Sequence, residues 1–374
     1  MMVNPITGDT KMAKVGRTLQ NLAAEIERRA EVKRDLIAPV SKLSAEVVNG
    51  EPVLAVHNGS IETFPLNTVA NGQLAEYVEI PRQYFNRMAT EAPELLASNV
   101  NRWFRDKKDE RRMVRLLDNR NRAFLSDKFR TLENEDLAEA VLPILLDMNL
   151  LFLSCEITDR RLYIKCVDQS ILKDVPTGRM IGDGSHVFFD TVSPAITISN
   201  SEVGAGRLMI ETGVYTKVCT NLAMIGHGFK KHHVGSRADV SDEVYALLSD
   251  DTRKVTDAAV WRQVRDVVKG AFEAARFQNV VDKLTEASGA KIEPTIVTEV
   301  IERVGKRFSL NEGERKGVLG RLIEGGDLTL YGLHSAITRH SADVEEYDRA
   351  TELERIGGEL IELPIPQARQ LIAA

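Results

Sequence analysis

Residues 111–147, RRMVRLLDNRNRAFLSDKFRTLENEDLAEAVLPILLD, carry in quick succession the patterns of a strand, a turn, a second strand, a loop and a helix. Met113, Val114, Leu116 and Leu117 form a short apolar segment. Asp118, Asn119, Arg120 and Asn121 are a turn cluster, and Ala123, Phe124 and Leu125 begin a second segment, so the spacing predicts a β-hairpin. Beyond it Asn134 is positioned to cap a helix. Glu135 and Asp136 fall in the first turn, where the dipole favours acids, and Leu137, Val141, Leu145 and Met148 recur at helical spacing. Pro143 is expected to kink or end that helix.

The pattern extends outward from this stretch in both directions. Upstream, Val15, Leu19, Leu22, Ile26 and Ala30 lie on one side of a charged helix, predicting an N-terminal helical arm over residues 1–38. Residues 40–64 switch to short strands separated by Asn49-Gly50 and Asn58-Gly59, the strongest local signal for hairpins, and predict a small antiparallel meander. In residues 72–97, Leu74, Ala75, Val78, Ile80, Phe85 and Met88 have the spacing of a helix-turn-helix, although Glu79 stands where a turn glycine is usual. Arg82, Gln83, Asn86 and Arg87 would then be exposed on the second helix; the plain alternative is a helical hairpin that only packs on the sheet. Trp103 and Phe104 have the chemistry to stack on bases or to fill a core.

Downstream, residues 150–156 and 161–167 read as two strands, the second alternating so that Tyr163 and Lys165 share a face open to a ligand. Residues 171–193, with Gly178, Gly182, Gly184 and Pro176, read as a long loop. Residues 195–199 and 207–211 predict another hairpin. The Gly204-Ala205-Gly206 between them is followed by no Gly-Lys-Ser/Thr, which excludes a nucleotide-hydrolysis loop. From residue 241 to 357 the periodicity is helical, with a further start expected near Asn311. These elements predict an α+β fold: an antiparallel sheet with packed helices in a core domain over 39–238, followed by a mainly helical region over 239–374.

The chain of 374 residues is 43% hydrophobic and 28% charged, an ordinary globular composition long enough for two or three domains. No apolar run approaches the roughly 18 residues of a membrane helix, and MMVNPITGDTKMAKVG lacks a signal peptide's apolar centre, so a cytoplasmic protein of a bacterial host without a membrane partner is expected. Three cysteines, Cys155, Cys166 and Cys219, fit a reducing compartment. The net charge of −6 conceals a basic run: residues 101–130 hold eleven Lys or Arg against five Asp or Glu. Residues 341–374 hold eight acids against three bases, suggesting an acidic tail or lid. Phosphate contacts are therefore assigned to Arg111, Arg112, Arg115, Arg120, Arg122, Lys128 and Arg130, with Lys230 and Lys231 beside them. The competing reading is a solvated surface hairpin.

The words RAFLSDKFRTLENEDL at 122–137, ISNSEVGAGRLMIETGVYTKVCTN at 198–221 and LYGLHSAITRHSADVEEYDRATELERIGGEL at 330–360 resemble a family of phage- and plasmid-encoded proteins catalogued as domain of unknown function 932. That likeness runs in order from about residue 73 to 360. It implies an origin on a mobile genetic element. A looser analogy, to the single-strand annealing proteins of phages and eukaryotes, gives the leading functional expectation: a DNA-binding recombination protein that takes single-stranded DNA, assembles as a homo-oligomer and needs no cofactor, metal or catalytic residue. Two alternatives stand beside it. A zinc-dependent or Cys/His enzyme acting on nucleic acid would use Cys219, His227, His232 and His233, and a duplex-binding regulator would use the helix-turn-helix pattern.

Overall fold

The computed structural model describes residues 16–181, 186–217, 220–226, 228–231 and 250–373. The fold is α+β, with antiparallel sheets, packed helices and a helix-rich C-terminal region. Its first element is α1 (Leu19–Val32), whose Leu22 and Ile26 are buried. It is followed by β1 (Arg34–Pro39), which pairs antiparallel with β5 (Arg111–Leu117), and β5 pairs in turn with β6 (Arg120–Ser126). The hairpin closes through Asp118 and Asn119, both with positive φ (51° and 57°), the conformation that a two-residue turn matching the strand twist requires. The predicted meander is present as β2 (Leu43–Val48), β3 (Glu51–Asn58) and β4 (Ser60–Pro65), turning at Asn49-Gly50 and Gly59.

Three helices, α2 (Thr68–Tyr77), α3 (Arg82–Glu91) and α4 (Pro93–Asp106), cover one face of these two small sheets. Leu74, Val78, Phe85, Met88, Leu96, Val100 and Phe104 share a core with Leu54 and Val56 of the meander and with Val114, Leu116 and Phe124 of the hairpin. Met113, Ala123 and Leu125, on the hairpin's other face, pack against Val203. The β5–β6 hairpin is thus an interior element, covered on both sides. Apolar residues at consecutive positions, Met113-Val114 and Ala123-Phe124-Leu125, supply both faces and demand that cover.

The next helix, α5 (Asn134–Asp147), continues through the exposed Pro143 to Asp147, so the proline does not end it. Asn134 is not the cap. Glu133 occupies the cap position without a side-chain capping bond, and the Asn134 N–H donates to Glu202 Oε1 at 2.8 Å. The Asn134 side chain faces inward instead and accepts from Asn200 Nδ2 at 2.9 Å. A tertiary carboxylate therefore takes the place of a local cap.

A larger sheet follows: β7 (Leu151–Ile157), β8 (Leu162–Val167), β9 (Lys173–Ile181), β10 (His186–Asn200), β11 (Leu208–Thr216), β12 (Asn221–Ala223) and β13 (Phe229–Lys231). Its order is β12-β11-β10-β8-β7, with β9 beside the first half of β10 and β13 on β11. The long loop expected over 171–193 is a correction: β9 and the start of β10 pair antiparallel there. Gly178 belongs to β9, where its N–H donates to Asp327 Oδ2 at 3.0 Å and a Cβ would meet Asp327 Oδ1 at 2.3 Å. Close approach, rather than a turn, is what requires that glycine.

One face of the large sheet is apolar. Ile164, Cys166, Ile196, Ile198 and Ile210 pack with Leu22 and Ile26 of α1, Leu137, Val141 and Leu145 of α5, and Val260 and Val264 of α6 (Asp250–Gly270). Five helices come after it: α7 (Ala274–Gly289), α8 (Val297–Phe308), α9 (Glu312–Gly325), α10 (Leu330–His340) and α11 (Tyr347–Glu362), followed by the short α12 (Ile365–Ile372). Asn311 starts α9 with a reciprocal capping box to Glu314. Val175, Val192 and Val214 of the sheet enter the core of these helices, so the C-terminal region and the sheet share apolar contacts.

The opposite face of β8 meets α11 through polar groups. Tyr163 Oη bonds Asp348 Oδ1 at 2.7 Å, and Lys165 Nζ bonds Glu354 Oε2 at 2.6 Å and Thr351 Oγ1 at 2.9 Å. The predicted alternation is correct but its expected use is not: α11 buries the face that Tyr163 and Lys165 were to offer a ligand. Three acids of the 341–374 stretch are likewise engaged, Asp348 and Glu354 here and Asp343 with Arg321, and residues 347–362 and 365–372 of that stretch are helical. No helix among the described residues is long and apolar enough to cross a membrane.

Candidate nucleic-acid interface

Two of the arginines assigned to phosphates are buried. Arg115 is 1% exposed, and each of its nitrogens has a partner: Nε at 2.9 Å from Asp35, Nη2 at 2.6 Å from Glu133 and Nη1 at 2.7 Å from the Glu202 carbonyl. A guanidinium so enclosed must be paired, and this one is saturated, which removes it from any surface role. Burial would raise the Glu133 carboxyl, but the charges of Arg115 and Lys33 outweigh it and hold that group down at about 2.

Arg122 differs. It is 5% exposed and gives Nη1 to Glu202 Oε2 at 2.8 Å, while its Nε and Nη2 find no partner among the described residues. Arg112 is half-buried, its guanidinium 4.4 Å from the Tyr77 ring centre and 5.0 Å from that of Phe124, a cation–π stack at the core's edge. Of the other assigned groups, Arg111, Arg120 and Lys128 are exposed and Arg130 is half-buried. Lys230 is exposed and Lys231 half-buried on β13, which pairs with β11 in the other sheet. The nine residues therefore do not form one surface.

What the fold does bring together is a trough along α2. On one side a cavity of about 410 Å³ is lined by Asn67, Thr68 and Asn71 of the first helical turns, by Leu117, Asp118, Arg120 and Arg122 of the hairpin, and by Arg29 and Asp159. On the other side a cavity of about 400 Å³ is lined by Gly72, Gln73 and Glu76 of α2, Arg82 of α3, Gly204 and Ala205, and Arg160. The two cavities share α2 and the adjacent residues Asp159 and Arg160 of the β7–β8 turn. Five arginines from four separate places in the chain thereby line one or other of these cavities, Arg29, Arg120 and Arg122 the first and Arg82 and Arg160 the second. Arg29 is held by Glu25 at 2.7 Å and Asp118 by Arg28 at 2.8 Å, while Arg120 and Arg160 are exposed.

The start of α2 is well defined. Asn67 Oδ1 accepts from Ala70 N at 2.9 Å, and Asn67 N donates to Asn121 O at 3.0 Å, tying the helix end to β6. The N–H groups of Thr68 and Val69, ahead of the capped one, have no intrahelical acceptor by position.

The 72–97 segment forms helices α2, α3 and the start of α4. Glu79 is left-handed (φ 58°), filling the place of the turn glycine, and Arg82, Gln83, Asn86 and Arg87 are exposed. Arg87 pairs with Glu91 at 2.7 Å. Phe104 is core and Trp103 is 44% exposed. Cys219, His227, His232 and His233 lie outside the described residues, and among those described no group of three or more His, Cys, Asp or Glu could hold a metal ion. Sequence reasoning missed Arg29 and Arg160, since each stands alone in an unremarkable segment and acquires neighbours only by folding.

Comparison with known proteins gives no match to a family model, to a curated protein or to a solved structure.

Proposed function

We propose that the chain is a non-enzymatic DNA-binding protein of a phage or plasmid that holds single strands along the α2 trough and lets complementary strands anneal, acting as a homo-oligomer in the cytoplasm of a bacterial host. The observation that carries this reading is the convergence of Arg82, Arg120, Arg122 and Arg160 on two adjoining cavities. The walls carry five arginines and the amides of Asn67, Asn71 and Gln73 against three acids, Asp118, Asp159 and Glu76, a balance that favours a phosphate backbone. The likeness to the phage and plasmid family supplies the biological setting. Fluorescence anisotropy with labelled oligonucleotides tests the reading: single strands should bind with little sequence preference and weaken steeply with salt, and no binding at low salt would overturn it.

A second reading, a duplex-binding regulator, is favoured by the left-handed Glu79 between α2 and α3 and by the exposed Arg82, Gln83 and Asn86. One preferred duplex site in the same assay would select it.

A further inference from the structure

The turn Thr158-Asp159-Arg160-Arg161, between β7 and β8, stands at the junction of the two cavities, with Asp159 lining one and Arg160 the other. Its backbone is tied from within. The Thr158 N–H donates to the Arg161 carbonyl at 2.9 Å and closes the turn, while the Thr158 hydroxyl accepts from the N–H groups of Arg160 and Arg161 at 3.1 and 3.0 Å. Elements distant in sequence then hold it from outside. Arg29 of α1 donates to the Thr158 carbonyl at 3.3 Å, Asp348 of α11 lies 3.2 Å from the Thr158 hydroxyl, and Ser201 of the 200–206 loop donates to the Arg160 carbonyl at 2.7 Å. The Arg160 side chain itself is exposed.

We propose that Thr158 and Ser201 are positioning residues of the trough, fixing Arg160 in place to take a strand phosphate before the strand arrives. This rests on the strand-binding reading and assigns its rigidity to two hydroxyls that touch no ligand. Reversal of the chain needs only the closing bond of the turn; the further ties hold the residue whose exposed guanidinium lines the cavity. With that backbone already fixed, binding gives up only the freedom of the side chain, and more of the attraction remains as affinity. Ser201 does a second thing. It is fully enclosed, and its hydroxyl accepts from the Ala205 N–H at 2.9 Å while donating to Arg160, so it sets the spacing of two residues that line the same cavity. The other arginine of that cavity is placed by close approach: Arg82 lies against α2 at Gly72, where a Cβ would stand 3.2 Å from its Cζ.

The test is the anisotropy of a labelled single strand with the full chain at several salt concentrations, for Thr158→Val, Ser201→Ala and Arg160→Ala, and for each hydroxyl variant combined with Arg160→Ala. One phosphate contact on a single strand contributes about 0.7 to the slope of log affinity against log salt, which is about fivefold in affinity near 0.1 M salt. Arg160→Ala should show that loss. Thr158→Val and Ser201→Ala should each weaken binding by about threefold with a slope shallower by about 0.5, and neither should weaken it further once Arg160 is replaced. Thr158→Ser keeps the hydroxyl and should bind as the wild type does.

A hydroxyl that served the fold alone would leave the salt slope unchanged and give a loss independent of Arg160. Because Ser201→Ala also releases Ala205, Thr158→Val is the deciding variant; should it fail to fold, Ser201→Ala is read in the same way. Wild-type affinity and slope in the hydroxyl variants, or losses that persist in the Arg160→Ala background, overturn the positioning role and spare the strand reading. A wild-type chain that binds no strand at low salt removes the strand reading and this role with it.

Discussion

Two polar seams hold this molecule together, one between β8 and α11 and one between the β5–β6 hairpin, α5 and the 200–206 loop, and they are finished differently. In the first, Lys165 is 2% exposed and meets Glu354 and Thr351, Tyr163 meets Asp348, and Arg355 makes a two-point contact with Glu211 at 2.8 and 2.9 Å. Burial pushes the Lys165 amine down and the Glu354 carboxyl up, each opposed by the other's charge. In the second, Arg115 is as complete as Lys165, but Arg122 stops half-satisfied at a cavity wall. The first seam is a closed joint between elements; the second keeps a guanidinium with two buried nitrogens that have no partner among the described residues.

The largest effect should come from breaking the closed seam. Lys165→Met leaves the Glu354 carboxylate buried without its partner, and should cost about 3–5 kcal/mol of unfolding free energy in urea titrations. Replacing both, Lys165→Met with Glu354→Leu, should restore most of that loss, because an apolar pair of similar volume needs no desolvated charge. A double variant as unstable as the single one would mean that this seam contributes through geometry rather than charge balance.

Acid should loosen the same side of the molecule first. His334 of α10 is fully enclosed and bonds the Gly357 carbonyl through Nδ1 at 2.8 Å, and burial lowers it from the usual 6.5 to about 4. The unfolded chain takes up this proton before the folded one does. Stability is therefore intact above pH 6.5 and falls as pH drops towards 4, by on the order of 3 kcal/mol. His334→Gln should flatten this part of the thermal-midpoint profile. Glu133, held at about 2 by Arg115 and Lys33, follows at lower pH: its contribution is present above its ordinary 4.5 and is lost on the way down to 2.

How much of this was legible depends on the distance between partners. The meander, the hairpin and the start of α9 could be read because Asn49-Gly50, Asp118-Asn119 and Asn311 with Glu314 act within a few residues of themselves. Asn134 misled because its N–H is served by Glu202, and the glycines of 171–193 because Gly178 answers to Asp327. The arginine-rich stretch was recognised as central, but its arginines were assigned to the surface. Charge counts along a chain cannot tell Arg111, which is exposed, from Arg115, whose carboxylates come from Asp35 and Glu133. Arg120 and Arg122, assigned to phosphates on the hairpin, line one of the cavities beside α2; Arg160 and Arg29, isolated in sequence, were not singled out.

The strand-binding claim itself is tested most directly by the salt dependence of affinity in a variant that leaves both seams untouched. Arg82, Arg120 and Arg160 are exposed on the trough, and changing all three to Ala should leave the fold as stable as the wild type to within about 0.5 kcal/mol. Anisotropy of a labelled single strand at several salt concentrations then gives the slope of log affinity against log salt. The account predicts a steep wild-type slope that becomes shallower by about two in the triple variant, the change expected for three lost phosphate contacts on a single strand. An identical slope in the two proteins would contradict it.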